Sequence, residues 1–344
     1  MGPEYIPKIE YPARLHSLSF RMNQQPDLFD GTESLPEPSA ELTALARRLP
    51  ANVRFGTSTW TYDGWTGDVY HRRYRGPQPA KRLEEYVRYP LFRTVGIDSA
   101  FYEPPSDEVL RAYAQALPPG FSCVSKVWEQ ITVKRLDQGR GKPNPDFLNA
   151  ALFKEAVLGP YSREFRDHAG CFVFEFQAMR GKDLPDPLEW ADQLDAFLSE
   201  LPADFRYAVE LRNPELLTGL HGEVLKRHQV AHVFNSWTEV PTIGEQLEQP
   251  WTFPADFTVV RALLKPGRRY ADAVKAFEPY DRIQEPQPEL RRDLVEIIRE
   301  VLRRRIEAFI LANNRAEGNA PGTIREVARM WAQDEGLALP RDGG

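Results

Sequence analysis

Six ionisable residues, Asp98, Lys126, Glu175, Glu210, Arg212 and Arg261, each stand at or just beyond the carboxyl end of a short apolar run. If those ends converge, three carboxylates and three cations share one small volume. Such a mixed cluster perturbs proton affinities and is a common mark of a reactive site. A carboxylate there can move a proton, and neighbouring cations can hold or stabilise an oxyanion. Glu210 with Asp98 and Lys126 forms the expected catalytic set, and Arg212 and Arg261 the expected anion-binding pair. Polar and aromatic residues at other run ends extend the binding set to Asn235, Asn313, Asn314, Trp60 and Tyr102.

The apolar runs have strand character: residues 53–58, 94–99, 121–127, 171–177, 205–211, 230–236, 257–262 and 306–312. Between most of them lie stretches with apolar residues three or four apart, the period of an amphipathic helix. Residues 239–255 hold the weakest such stretch. Strand followed by helix, repeated eight times, predicts an α/β fold, a (β/α)8 TIM barrel with its chemistry at the carboxyl ends of the strands. A doubly wound sheet would call for a glycine fingerprint after a strand, and neither that nor a P-loop is present. Side chains alternate along a strand, so Cys171, Val173, Glu175 and Gln177 share one face and Phe172, Phe174 and Phe176 the other. Large aromatics suit the face packed on helices, which turns Glu175 inward. Ala208, Glu210 and Arg212 share a face in the same way.

The loops suggest a positive rim and hence an anionic ligand. Lys265, Arg268 and Arg269 follow the seventh strand; Lys134, Arg135, Arg140 and Lys142 follow the third. After the eighth strand, Asn319 is a plausible N-cap and Pro321 suits a first turn, so a helix start there could bind phosphate. Trp60, Tyr62, Trp65, Tyr70, Phe101 and Tyr102 could wall the mouth, with Trp65 and Tyr70 better suited to packing a long loop.

Composition sets the limits. The chain has 344 residues, 42% of them hydrophobic, enough for one barrel and a tail. Residues 1–50 read as a mobile, proline-rich tail with one short helix near 41–49, 51–338 as a single barrel domain, and 339–344 as a C-terminal tail. No run of 18 apolar residues and no secretory leader is evident, which places the expectation in the cytoplasm without membrane association. Two cysteines cannot form a disulfide framework, and both fall inside strands as core thiols. The six histidines show no metal-ligand spacing, and no GxSxG elbow occurs. No cofactor is expected; Mg²⁺ or Mn²⁺ on Asp98, Glu175 and Glu210 is the alternative the carboxylates leave open.

Several segments resemble the YecE-like family, domain of unknown function 72. They are FGTSTWTYDGW, IDSAFYEPPSDEVLRAYAQALPPGFSCVSKVWEQITV, the VLGP at 157–160, AVELRNPELL, the VVR at 259–261 and ANNRAEGNAP. In order and spacing they run from about residue 53 to 330. The resemblance implies a TIM barrel with site positions at Lys126, Glu210, Arg212, Arg261, Asn313 and Asn314, and no established reaction. The chain departs from the family pattern in having Asp98 where Glu is usual and Arg315 where His is usual. FEFQA replaces a glutamine-phenylalanine-proline-proline segment, which removes support for an inherited role of Glu175.

In the tail, Gln25-Pro26-Asp27-Leu28-Phe29 resembles the short peptide by which bacterial proteins dock on the DNA sliding clamp, with Gln25, Leu28 and Phe29 as contacts. Three functions are therefore expected in competition. The first is an enzyme of hydrolase or isomerase type acting on a phosphorylated or otherwise anionic small molecule. The second is a nucleic-acid-associated accessory protein recruited to the clamp. The third is a non-catalytic scaffold barrel.

Overall fold

The computed structural model describes residues 39–136 and 141–338. Eight strands form one parallel sheet: β1 Val53–Thr57, β2 Gly96–Ile97, β3 Cys123–Lys126, β4 Ala169–Phe176, β5 Tyr207–Leu211, β6 Ala231–Asn235, β7 Phe257–Ala262 and β8 Glu307–Ala312. From β2 to β8 each strand pairs with the next, and β8 pairs with β1. The ladder is open only between β1 and β2, where the amides of Arg93 and Thr94 donate to the Phe55 carbonyl instead. Gly56 permits this close approach, because a Cβ there would collide with the Thr94 carbonyl. The fold is an α/β TIM barrel, nearly closed.

Strand alternation sorts the core into two layers. Val124, Cys171, Val173, Ala208, Ala231, Val233, Val259 and Leu311 pack together, with Phe257 and Phe309, in the barrel interior. Phe172, Phe174 and Phe176 pack outward with the helices, where Phe174 meets Phe197 edge-on at 5.2 Å. Cys123 and Cys171 are buried, and burial pushes both thiols far up, as suits core residues.

The helices follow the apolar periodicity. Ser106 caps the helix Asp107–Ala116 and Asp186 caps Pro187–Ser199, each accepting first-turn amides. The weak stretch after β6 holds only the five-residue helix Ile243–Leu247, closed by a Thr242–Glu245 capping box. A further helix, Tyr270–Phe277, follows β7 ahead of the 17-residue helix Pro288–Arg304.

The helix Ala40–Arg48 lies within the span assigned to the tail, yet it is fastened to the barrel. Leu42 and Leu45 join the core, Arg93 donates to the Ala46 and Pro50 carbonyls at 2.7 Å, and Trp331 Nε1 donates to the Arg48 carbonyl at 3.1 Å. Gln25, Leu28, Phe29 and Arg140 lie outside the described residues. No helix among the described residues is long and apolar enough to cross a membrane.

Candidate active site

Strand register brings the charges together. Glu175 on β4 stands directly opposite Glu210 on β5, and Asn235 on β6 opposite Arg261 on β7. Asp98 begins the turn after β2, and Lys126 ends β3. All six ionisable residues meet at the carboxyl end of the barrel.

Arg261 is the centre. Its Nη1 donates to Glu175 Oε2 at 2.7 Å and to Glu210 Oε2, and its Nη2 reaches Asp98 Oδ2 at 2.5 Å. Lys126 Nζ lies 2.7 Å from Glu175 Oε2. Arg212 Nε donates to Glu210 Oε1 at 3.0 Å, and its Nη2 lies 2.8 Å from Glu175 Oε2. Three negative and three positive charges are thus mutually compensated in a nearly dry volume, which is the condition under which buried ions persist. The carboxylates surround a guanidinium, so a divalent ion on the same three groups would have to displace Arg261.

The three acids are not equivalent. The Glu175 and Glu210 side chains are 2% and 0% exposed, whereas that of Asp98 is 22% exposed. Burial pushes the Glu175 carboxyl up, but Arg212, Lys126 and Arg261 together hold it well below the usual carboxylate range. For Asp98 burial prevails over Arg261 and Lys126, and its carboxyl lies above the usual range. Burial alone would discharge Arg261; the carboxylates of Asp98, Glu210 and Glu175 more than offset this and keep it charged. Asp98 is therefore the carboxyl best able to exchange a proton with a ligand, while Glu210, expected as the acid/base, is locked between two guanidiniums.

Aromatic rings pack against three cations at the mouth. Lys126 Nζ sits 3.9 Å from the Phe101 ring centre, the Arg212 guanidinium 3.7 Å from Trp237 and that of Arg315 4.3 Å from Tyr270. The phenols of Tyr62 and Tyr270 are both raised by burial, opposed by Arg315 and reinforced by the Asp98 charge.

Other expected site residues do different work. Trp60 does not wall the mouth: it is buried, its Nε1 donates to the Pro79 carbonyl at 2.8 Å, and Tyr113 packs on its ring. Asn235 is buried beneath Trp237, whose backbone amide donates to Asn235 Oδ1 at 3.2 Å. Asn313 Oδ1 accepts from the Arg315 amide and guanidinium at 3.0 and 3.2 Å, positioning that cation. Asn314 is buried, and its Oδ1 accepts from Trp65 Nε1 at 3.2 Å and from the Ala320 amide at 2.8 Å. Trp65 and Tyr70 pack the loop, as their setting suggested. Tyr102, 54% exposed, stands at the rim against Phe101.

Two expectations about anion binding are corrected. Asn319 does cap the helix Ala320–Ala338, but the first turn has no backbone donor left for phosphate. Its amides go to Asn314 Oδ1, Asn319 Oδ1 and the Asn319 carbonyl, and Pro321 has none. Part of the positive rim is also taken up by ion pairs. Lys265 and Arg268 both pair with Glu285, at 2.8 and 2.5 Å, and Arg135 pairs with Asp183.

Glu175 sits where strand alternation places it, although FEFQA breaks the family pattern. Trp237 and Tyr270 escaped the sequence: they are aromatic residues two and eight positions beyond the ends of β6 and β7, a weak signal.

A family model described as "Protein of unknown function DUF72" matches residues 54–342. No curated protein matches the chain. A crystal structure of a DUF72 family protein from Enterococcus faecalis is similar over 81% of this chain and 95% of that one, with 17% identity and a TM-score of 0.60. One from Thermotoga maritima is similar over 81% of this chain and 99% of that one, with 21% identity and a TM-score of 0.57. These likenesses carry the barrel fold.

Proposed function

The chain belongs to the DUF72 family, whose function is unknown, and from that premise we propose that its barrel mouth is an enzyme active site for a small anionic substrate. The observation that carries this reading is the inequality among the three carboxylates around Arg261. Asp98 alone combines appreciable exposure with a raised proton affinity, the properties of a general acid or base.

The roles follow from the geometry. Lys126 and the Nη1 edge of Arg212, which takes no part in the carboxylate pairs, hold substrate oxygens. Asp98 moves the proton. Glu175, Glu210 and Arg261 form the fixed floor that keeps those groups charged and aligned, the preorganisation on which electrostatic catalysis depends. Proton transfer of this kind serves hydrolysis or isomerisation equally.

Thermal-shift screening against small carboxylates and phosphate esters tests the reading. A true ligand raises the melting temperature of the wild type and does so much less for Lys126→Met. Asp98→Asn retains binding and loses turnover of that ligand. If no anion protects the wild type more than Lys126→Met, the mouth is not an anion site and the proposal fails.

A further inference from the structure

The mouth carries more aromatic surface than a bare anion needs. Tyr62, Trp237 and Tyr270 are each only partly buried, and they pack on Leu263, Leu264, Phe277 and Tyr280 in a separate apolar cluster over the carboxyl end of β7. Trp237 and Tyr270 lie 6.4 Å apart with their planes inclined by 41°, forming a continuous wall. That wall is held in place by polar groups underneath. Asn235 anchors the Trp237 backbone, and Asn313 positions the guanidinium that backs Tyr270.

The wall and the ion cluster share a residue. The Arg212 guanidinium lies 3.7 Å from the Trp237 ring centre while its Nη2 lies 2.8 Å from Glu175. An oxyanion bound at the Lys126–Arg212 edge is therefore about one guanidinium width from the aromatic surface.

Resting on the anion-site reading above, we propose that the ligand is an aromatic or heteroaromatic acid: a flat ring stacked on the Trp237–Tyr270 wall, with its acid group a bond or two away at Lys126 and Arg212. A chain-like acid would leave the wall wet, whereas a ring covers it and gains the offset or edge-on contacts aromatic pairs prefer. Rigid rings already held by Asn235 and Arg315 lose little freedom when a ligand arrives.

Calorimetric titration with benzoate, cyclohexanecarboxylate and acetate tests this. The first two share a size and a carboxylate and differ in flatness. Benzoate is expected to bind about fivefold more tightly than cyclohexanecarboxylate, the scale of one aromatic pair. Trp237→Leu, and independently Tyr270→Leu, should bring that ratio close to one. Equal affinities in the wild type, or a ratio that survives both substitutions, overturn the ring assignment. Binding of all three acids that Lys126→Met abolishes, without any preference for the ring, removes this inference and leaves the anion site standing. Absence of binding by any of the three acids removes this inference, while the anion site stands or falls separately on the thermal-shift screen that includes phosphate esters.

Discussion

Arg261 on β7 reaches the turn after β2 and holds Asp98 at 2.5 Å, joining residues 163 positions apart across the open end of the barrel. The same guanidinium is shared by Glu175 and Glu210. One cation therefore compensates groups contributed by three separate strand ends, and it does so where water is nearly excluded.

Its removal should be costly. Arg261→Met leaves buried carboxylates short of a counter-charge, and breaking such a pair from one side costs about 3–5 kcal/mol. Urea denaturation should show that loss, with Arg261→Lys recovering part of it. A loss below about 1 kcal/mol, the scale of an exposed ion pair, would contradict the central role assigned to this residue.

Asp98→Asn should separate function from stability. The substitution removes one ion pair and one poorly solvated charge together, so the two effects largely offset, and unfolding should shift by no more than about 1 kcal/mol. Proton linkage should change instead. An anion arriving beside Asp98 raises its proton affinity further, so binding by the wild type takes up protons. Calorimetry in buffers of different ionisation enthalpy should detect that uptake, and it should vanish in Asp98→Asn. Equal uptake in both proteins would assign the proton elsewhere.

Asn314→Ala should be a stability lesion. The substitution strips the acceptor from two buried donors, Trp65 Nε1 and the Ala320 amide. Each stranded donor costs about 1–3 kcal/mol, enough to lower the melting temperature visibly. Because the side chain is buried beneath the loop, affinity for any mouth ligand should change less than about twofold. A large affinity loss in a protein of unchanged stability would restore Asn314 to the binding set.

The fold should be sensitive to mild acid through a site far from the mouth. His221 and His232 are fully buried beside Trp251 with ring centres 6.4 Å apart, and burial lowers them to about 3 and about 4. Their folded-state values lie below that of an unfolded histidine, near 6.5. The unfolded chain therefore binds protons first, and the stability these residues contribute is intact above about pH 6.5 and declines as pH falls toward 4. Denaturation series across that window should show His221→Phe losing stability less steeply than the wild type. Parallel slopes would mean that His221 does not titrate on unfolding.

The sequence by itself determined the eight-strand count, the inward turn of Glu175 and Glu210, and the convergence of Asp98, Lys126, Arg212 and Arg261 on the carboxyl end of the barrel. Those properties depend on local alternation and on the rule that βα units close with their strand ends together. Only the tertiary structure decided which polar groups are spent. Asn314 and the helix start at Ala320 looked like a phosphate cradle until the Ala320 and Gly322 amides were found spent on Asn314 Oδ1 and Asn319 Oδ1. Lys265 and Arg268 looked like a positive rim until Glu285 was found between them. Trp60 lies inside the core and Trp237 over Arg212, though both are tryptophans just past a strand. A hydrogen-bonding or charged group can serve a ligand only with capacity left over from the fold. That remainder is set by partners distant in sequence, which no local pattern records.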